Sequence, residues 1–96
     1  MVPCLHILNK APEHSRAWHC LSQLQVGDHL VLMENALLAL TEGQWTSSLP
    51  EGVTVRVLAA DLEARGLKSH LGKTMQAIDY KSFVEETIAA EKLIHW

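Results

Sequence analysis

Short, continuous apolar runs separated by helical stretches constrain the fold of this chain more than any other feature. Residues 4–8, 29–33 and 53–59 have the length and composition of buried strands, and the third is the richest in β-branched residues. Residues 75–79 are a weaker fourth candidate. The run at 29–33 is continuous rather than alternating, which is typical of strands covered on both faces, as in a parallel sheet.

Helical patterns lie between these runs. Residues 15–26 form an amphipathic pattern with Ser15 as its predicted N-cap, and further turns are predicted at 36–41 and 61–65. The last helix begins at Asp79 or Tyr80. Its predicted apolar stripe is Phe83, Val84, Thr87, Ile88 and Leu93, and the residues predicted to face away are Glu85, Glu86, Glu91 and Lys92. The alternation predicts an α/β fold, a mainly parallel sheet of four to five strands flanked by helices.

Size and charge limit the function classes. We expect one domain over residues 1–96, because this length supports a single core. The net charge of -3 gives no basic surface for phosphates, so direct nucleic-acid binding is not expected. The N-terminal stretch matches neither a signal peptide nor a membrane span, which predicts a cytoplasmic protein with both cysteines reduced.

A small parallel sheet with thin helical cover leaves open edges, and open edges promote association unless a partner covers them. The sequence therefore predicts an obligate oligomer. Trp45 and Trp96 are the predicted interface residues if they are exposed, because tryptophan is enriched at binding hot spots.

Four stretches, in this order and spacing, resemble one protein family. They are Leu-His-Ile-Leu-Asn-Lys-Ala-Pro at 5–12, Leu-Met-Glu-Asn-Ala at 32–36, Asp-Leu-Glu-Ala-Arg-Gly-Leu at 61–67 and Ile-Asp-Tyr-Lys-Ser-Phe-Val at 78–84. Together with the final Trp96, the set resembles the TusB/DsrH family of sulfur-relay proteins over essentially the whole chain.

The resemblance implies a DsrE-like (Rossmann- or flavodoxin-like) fold and a place in a heterohexamer with TusC- and TusD-like (DsrF- and DsrE-like) subunits. Such complexes pass persulfide sulfur from a TusA-like donor towards a TusE- or DsrC-like acceptor. In the Tus setting the sulfur ends in 2-thiouridine at the tRNA wobble position, and in the Dsr setting the pathway is sulfur oxidation. The resemblance places the main sulfur-carrying cysteine in the TusD-like subunit, so a purely structural role for this chain is a third possibility.

Cys20 is the candidate persulfide carrier. Sulfur transfer needs a partly exposed thiolate near positive charge. Helical geometry places Cys20 at the border of the buried stripe, with Arg16 one turn earlier on the same side, and His14, His19 and Lys10 close by in sequence. The alternative is a small apolar residue at the rim of the core, because free cysteine is often buried and inert. Both interpretations stay open from sequence.

The other chemistry-bearing residues favour structural roles. Cys4 and His6 lie inside the first strand, where Cys4 is expected to be buried and His6 to bond a neighbouring backbone group. The spacing of the histidines completes no ligand set, so no metal is expected. A phosphate loop, a nucleophile elbow and paired carboxylates are missing from the sequence, so neither a cofactor nor independent enzymatic activity is expected.

Two acidic positions have alternative interpretations. Glu34-Asn35 follows the second strand and either caps the next helix, which is favoured, or lines a site. Asp61 either caps the turn that follows it or takes part in a subunit contact.

Overall fold

The computed structural model describes residues 2–96, which form a five-stranded parallel sheet with helices on both faces. The elements are, in chain order, β1 (Cys4–Leu8), α1 (Ser15–Gln23), β2 (His29–Leu32), a 3-10 helix (Glu34–Thr41), α2 (Gly43–Thr46), β3 (Thr54–Leu58), α3 (Ala59–Ala64), a 3-10 turn (Lys68–His70), β4 (Met75–Ile78), α4 (Tyr80–Ala89) and β5 (Lys92–His95). The predicted α/β fold with a mainly parallel sheet is confirmed.

The strand order in the sheet is β4-β3-β2-β1-β5. From β1 to β4 the chain moves across the sheet in one direction, and it then returns to pair β5 with the other side of β1. Parallel crossovers are right-handed, so the first three connections pass over one face and the last connection passes over the opposite face. We call these faces the α1 face and the α4 face.

Each face has its own core. The α1-face core is Leu8, Ala17, Cys20, Leu24, Leu30, Leu32, Ala36, Leu37, Ala39, Trp45, Val55, Val57 and Leu62. The α4-face core is Leu5, Ile7, Val31, Leu58, Ile78 and Phe83. Successive residues of one strand point to opposite faces, so β1, β2 and β3 contribute to both cores. This is why apolar residues occupy both alternating sets of positions in these strands.

The C-terminal segment corrects the predicted extent of the last helix. α4 ends at Ala89, and Leu93, which was placed on its apolar stripe, lies in β5 instead. The backbone of this segment pairs with the free edge of β1: Glu91 N–H donates to the Val2 carbonyl at 3.0 Å, and Leu93 is in register with Leu5. Ladder hydrogen bonds available only in the folded sheet therefore override the helical pattern.

The orientation of α4 is also corrected. Phe83 is buried as predicted, but Val84 and Ile88 are exposed. Glu86 was predicted to face away, whereas it points to the sheet, accepts from His29 Nδ1 at 2.7 Å and pairs with the Arg56 guanidinium. The Glu86 carboxylate faces the sheet because His29 and Arg56, on the α4 face, bind it there, and a partly buried carboxylate needs such partners.

Helix starts show how local polar groups set the boundaries. The N-cap of α1 is His14, whose Nδ1 accepts from the Arg16 N–H at 3.1 Å, so the prediction of Ser15 was wrong. α4 begins at Tyr80, one of its two predicted first residues, and Asp79 is the N-cap, accepting from the Ser82 N–H at 2.8 Å. That amide holds the pKa of the Asp79 carboxyl below its ordinary value. Among residues 2–96, no helix has the length and hydropathy needed to cross a membrane.

Candidate functional site

Cys20 lies in the middle of α1 with its side chain turned into the α1-face core. It has 0% exposure and belongs to the same cluster as Ala17 and Leu24. The expected position at the border of the core is therefore wrong, because the helix is rotated further inward than the apolar spacing indicated. Arg16, expected to share its side, is exposed.

The surroundings of Cys20 oppose ionisation. Burial, with a smaller contribution from the nearby Cys4, raises the pKa of its thiol from 9.0 to about 12. A thiol in this state is a poor nucleophile because the thiolate is the reactive form. In the single chain, Cys20 thus lacks the exposure and the neighbouring positive charge that a persulfide carrier needs. Its role as a carrier stays a prediction.

Cys4, in β1, is buried as predicted, with 8% exposure. Burial raises its pKa, the Asp28 carboxylate adds to the rise, and Lys92 on the adjacent strand partly opposes it. Cys4 is therefore also held towards the neutral thiol.

His6 is the centre of a buried polar network, with 1% exposure. Its Nε2 lies 2.9 Å from Asp28 Oδ2, and its Nδ1 accepts from the indole N–H of Trp96 at 3.1 Å. Because Trp96 Nε1 is a donor only, these partners assign a neutral imidazole with its proton on Nε2, donated to Asp28. The expected bond from His6 to a backbone group was wrong, since two side chains occupy its nitrogens.

Asp28 completes this network and was missed by the sequence interpretation. It is 5% exposed, and its Oδ2 also accepts from the Gln25 N–H at 3.0 Å. The signal available was the buried strand histidine itself, which required a polar partner from another part of the chain.

Cys4, His6 and Asp28 form the one group among residues 2–96 that brings three possible metal-ligand atoms within 4.8 Å of one another. The hydrogen bonds argue against a metal there. Coordination through Nε2 would require the other ring nitrogen to carry its proton and donate it. Nδ1 instead faces the indole N–H of Trp96, so two N–H groups would point at each other.

The two tryptophans predicted at an interface are engaged within the chain. Trp45 is fully buried and donates its indole N–H to the Ala17 carbonyl at 3.0 Å. Trp96 is half-buried, lies beside His6 with its ring nearly coplanar to the imidazole, and makes an edge contact with His19 at 5.1 Å between ring centres. Trp45 can therefore not contact a partner in this conformation.

The two acidic positions are joined by the fold. Asp61 Oδ2 accepts from the Glu34 N–H at 2.8 Å, and Asn35 Oδ1 accepts from Arg65 at 2.9 Å. Glu34 has a positive φ of 50°, a conformation uncommon for residues other than glycine. The favoured capping role of Glu34-Asn35 is thus replaced by bonds that tie the end of β2 to α3.

The exposed apolar surface is concentrated on the C-terminal part. Tyr80, Val84 and Ile88 lie one turn apart along α4, and Leu93 of β5 lies on the same face of the sheet. Ile88 is 79% exposed. We call Tyr80, Val84 and Ile88 the α4 stripe. Contiguous exposed apolar residues of this kind mark interaction surfaces more often than isolated ones do.

Comparisons with known proteins agree with this fold. The profile of the family described as "DsrH like protein" matches residues 10–93. Protein TusB of Pectobacterium parmentieri is 31% identical over 94 residues, covering 96% of this chain and 99% of the relative. Protein TusB of Escherichia coli O81 (strain ED1a) is also 31% identical, with the same coverage.

Two solved structures share the architecture. The crystal structure of the ychN protein from E. coli superimposes with a TM-score of 0.78 over 100% of both chains at 17% identity. The solution NMR structure of protein Tm0979 from Thermotoga maritima has a TM-score of 0.65 at 20% identity and covers 88% of this chain and 91% of its own. Because the family profile covers most of the sequence and a relative is 31% identical over 96% of it, the chain belongs to the DsrH-like family, as its four sequence stretches indicated.

Proposed function

We propose that this chain is a TusB-like, non-catalytic subunit of a cytoplasmic sulfur-relay complex that supports 2-thiolation of the wobble uridine in tRNA. Family membership supports a sulfur-relay subunit. The observation that favours a supporting role over a carrier role is the complete burial of Cys20, with its pKa raised to about 12. A relay thiol has to reach a persulfide on another protein, and this one does not reach the surface.

The proposed partners are TusC- and TusD-like subunits in a heterohexamer, with a TusA-like donor and a TusE- or DsrC-like acceptor acting on the assembled complex. The α4 stripe supports an assembly role, because it presents apolar side chains that another subunit would remove from water. The net charge of -3 favours protein partners over direct contact with the tRNA.

Complementation tests the function and the role of Cys20 together. A strain lacking this gene would carry wild type, C20A or no copy, and 2-thiouridine in its tRNA would be measured by mass spectrometry. We expect thiolation to be lost in the deletion strain and fully restored by both copies. Unchanged thiolation in the deletion strain would contradict the tRNA pathway and favour the alternative of sulfur oxidation.

Co-purification with the TusC- and TusD-like subunits separates a chemical effect of C20A from a folding effect. A C20A protein that assembles normally but fails to restore thiolation would identify Cys20 as a carrier and overturn the supporting role. If C20A fails to assemble, C20S provides a second thiol-free variant with nearly the same volume.

The assembly role has its own matched pair of variants. Ile88→Asp places a charge on the α4 stripe, and Val26→Asp places the same charge on an apolar residue of similar exposure elsewhere, 81% against 79%. We expect I88D to weaken co-purification and V26D to leave it intact. Equal recovery of both variants would remove the α4 stripe from the interface.

A further inference from the structure

Trp96 is attached to the end of β1 by both its main chain and its side chain. Its N–H donates to the Ile7 carbonyl at 2.8 Å, and its carbonyl oxygen accepts from Lys10 Nζ at 3.3 Å. The indole donates to His6 Nδ1 and lies beside that ring, nearly coplanar with it, with an angle of 7° between planes. We propose that Trp96, His6 and Asp28 form a latch that holds β5 in the sheet, and that β5 opens as a local unit when this latch is broken.

β5 has few other contacts that could hold it in the sheet. It is an edge strand that pairs with β1 within the described part of the chain, and its Lys92, Leu93 and His95 side chains are exposed. Strands with few buried apolar contacts are the segments that open at the lowest free energy. The ladder to β1 and the latch therefore supply most of the attachment of β5.

The latch acts as one unit because its hydrogen bonds share a single imidazole. The bond from Trp96 requires an unprotonated Nδ1, and a ring in that state carries its proton on Nε2, where it is donated to Asp28, so one neutral tautomer makes both bonds. Asp28 is itself fixed by the Gln25 N–H at 3.0 Å, which ties the network to the turn before β2. The end of β5 is thus anchored, through β1, to the middle of the sheet.

The arrangement has a consequence for assembly that does not depend on the proposed function. When β5 opens, the outer edge of β1 loses its partner strand. An unpaired strand edge is a template for a strand of another chain, and the latch keeps this edge closed in the isolated protein.

Amide hydrogen exchange of the full chain tests the latch. Trp96→Phe keeps an aromatic ring but removes the indole donor. Trp18→Phe is the matched control, since the indole N–H of Trp18 is also a hydrogen-bond donor, to the Pro12 carbonyl at 2.7 Å, but Trp18 lies on α1. In the wild type, residues 92–96 should exchange faster than β2 and β3. We expect W96F to accelerate exchange of 92–96 by about tenfold, the factor that corresponds to one net buried hydrogen bond.

Three results would overturn the latch. Exchange of residues 92–96 at the rate of β2 and β3 in the wild type would show that β5 opens only with the whole protein. Equal effects of W96F and W18F on β5 would show that Trp96 has no special role. Imidazole ¹⁵N NMR that places the His6 proton on Nδ1 would contradict the hydrogen-bond chain directly, without any variant.

Discussion

The burial of Cys20 makes a quantitative prediction about its reactivity. Thiol reagents attack the thiolate, and a rise of the pKa from 9.0 to about 12 lowers the thiolate fraction at neutral pH roughly 1,000-fold. Alkylation of Cys20 in the folded single chain should therefore be at least that much slower than alkylation of a free thiol. Zero exposure adds a steric barrier, so the observed reaction should proceed through unfolding.

The assay is alkylation by iodoacetamide with quantification of each cysteine peptide by mass spectrometry. Ser22→Cys supplies the matched control, because Ser22 lies on the same helix two residues later and is exposed. The introduced thiol should react at the rate of a free thiol while Cys20 stays unmodified. Sub-denaturing urea should raise the Cys20 rate in parallel with the population of unfolded protein.

The contribution of Cys20 to the free energy of unfolding depends on pH with a definite sign. The folded state favours the neutral thiol, so the stability that Cys20 contributes is fully present below the unfolded pKa and is lost as the pH rises from about 9 through about 12. Native alkylation of Cys20 within tenfold of the Ser22→Cys rate would refute this reasoning. Rapid labelling that appears only after partner subunits are added would instead show that assembly exposes the thiol.

Three further predictions concern stability. Trp45→Ala should lower the free energy of unfolding, measured in urea titrations, by about 3–5 kcal/mol, because it empties a fully buried site and removes the hydrogen bond to the Ala17 carbonyl. A loss as small as that of a surface substitution would contradict the burial of Trp45. Glu86→Gln should lower the free energy of unfolding by about 1–3 kcal/mol, while Glu85→Gln on the exposed side of α4 should leave it nearly unchanged. Similar losses for the two variants would place Glu86 on the surface. Asp79→Ala should reduce the helix signal in circular dichroism. The difference in helix signal between the variant and the wild type should vanish as the pH falls through the lowered pKa of the Asp79 carboxyl. A difference that persists in acid would argue against the cap.

Local pattern was sufficient to predict most of the elements. β1 spans the predicted residues 4–8, and the other predicted strands fall within one or two residues of the observed ones. Their apolar composition reflects burial on both faces, which any fold of this class requires. The four stretches that resemble the DsrH-like family also depend on sequence alone, and the family profile agrees with them.

The candidate site was less predictable, since its contacts join distant positions. His6 bonds residues 22 and 90 positions away in the chain, and nothing in the local sequence of β1 specifies Asp28 or Trp96 as partners. The rotation of α1, which decides whether Cys20 is exposed or buried, depends on how Ala17 and Leu24 pack against the sheet. Helical spacing fixes relative angles within a helix but leaves its rotation against the sheet undetermined.

The sequence by itself determined the order of the first four strands and their helices along the chain, the parallel sheet and the family, because these follow from periodicity, composition and motif along the chain. The tertiary structure alone decided that residues 92–95 form a strand, that Glu86 faces inward and that Cys20 is closed off from solvent. Each of these outcomes depends on a partner supplied by another element: the free edge of β1, the pair His29 and Arg56, and the apolar surface beneath α1. Short segments with balanced local preferences adopt the state that satisfies their hydrogen bonds and charges in the assembled fold.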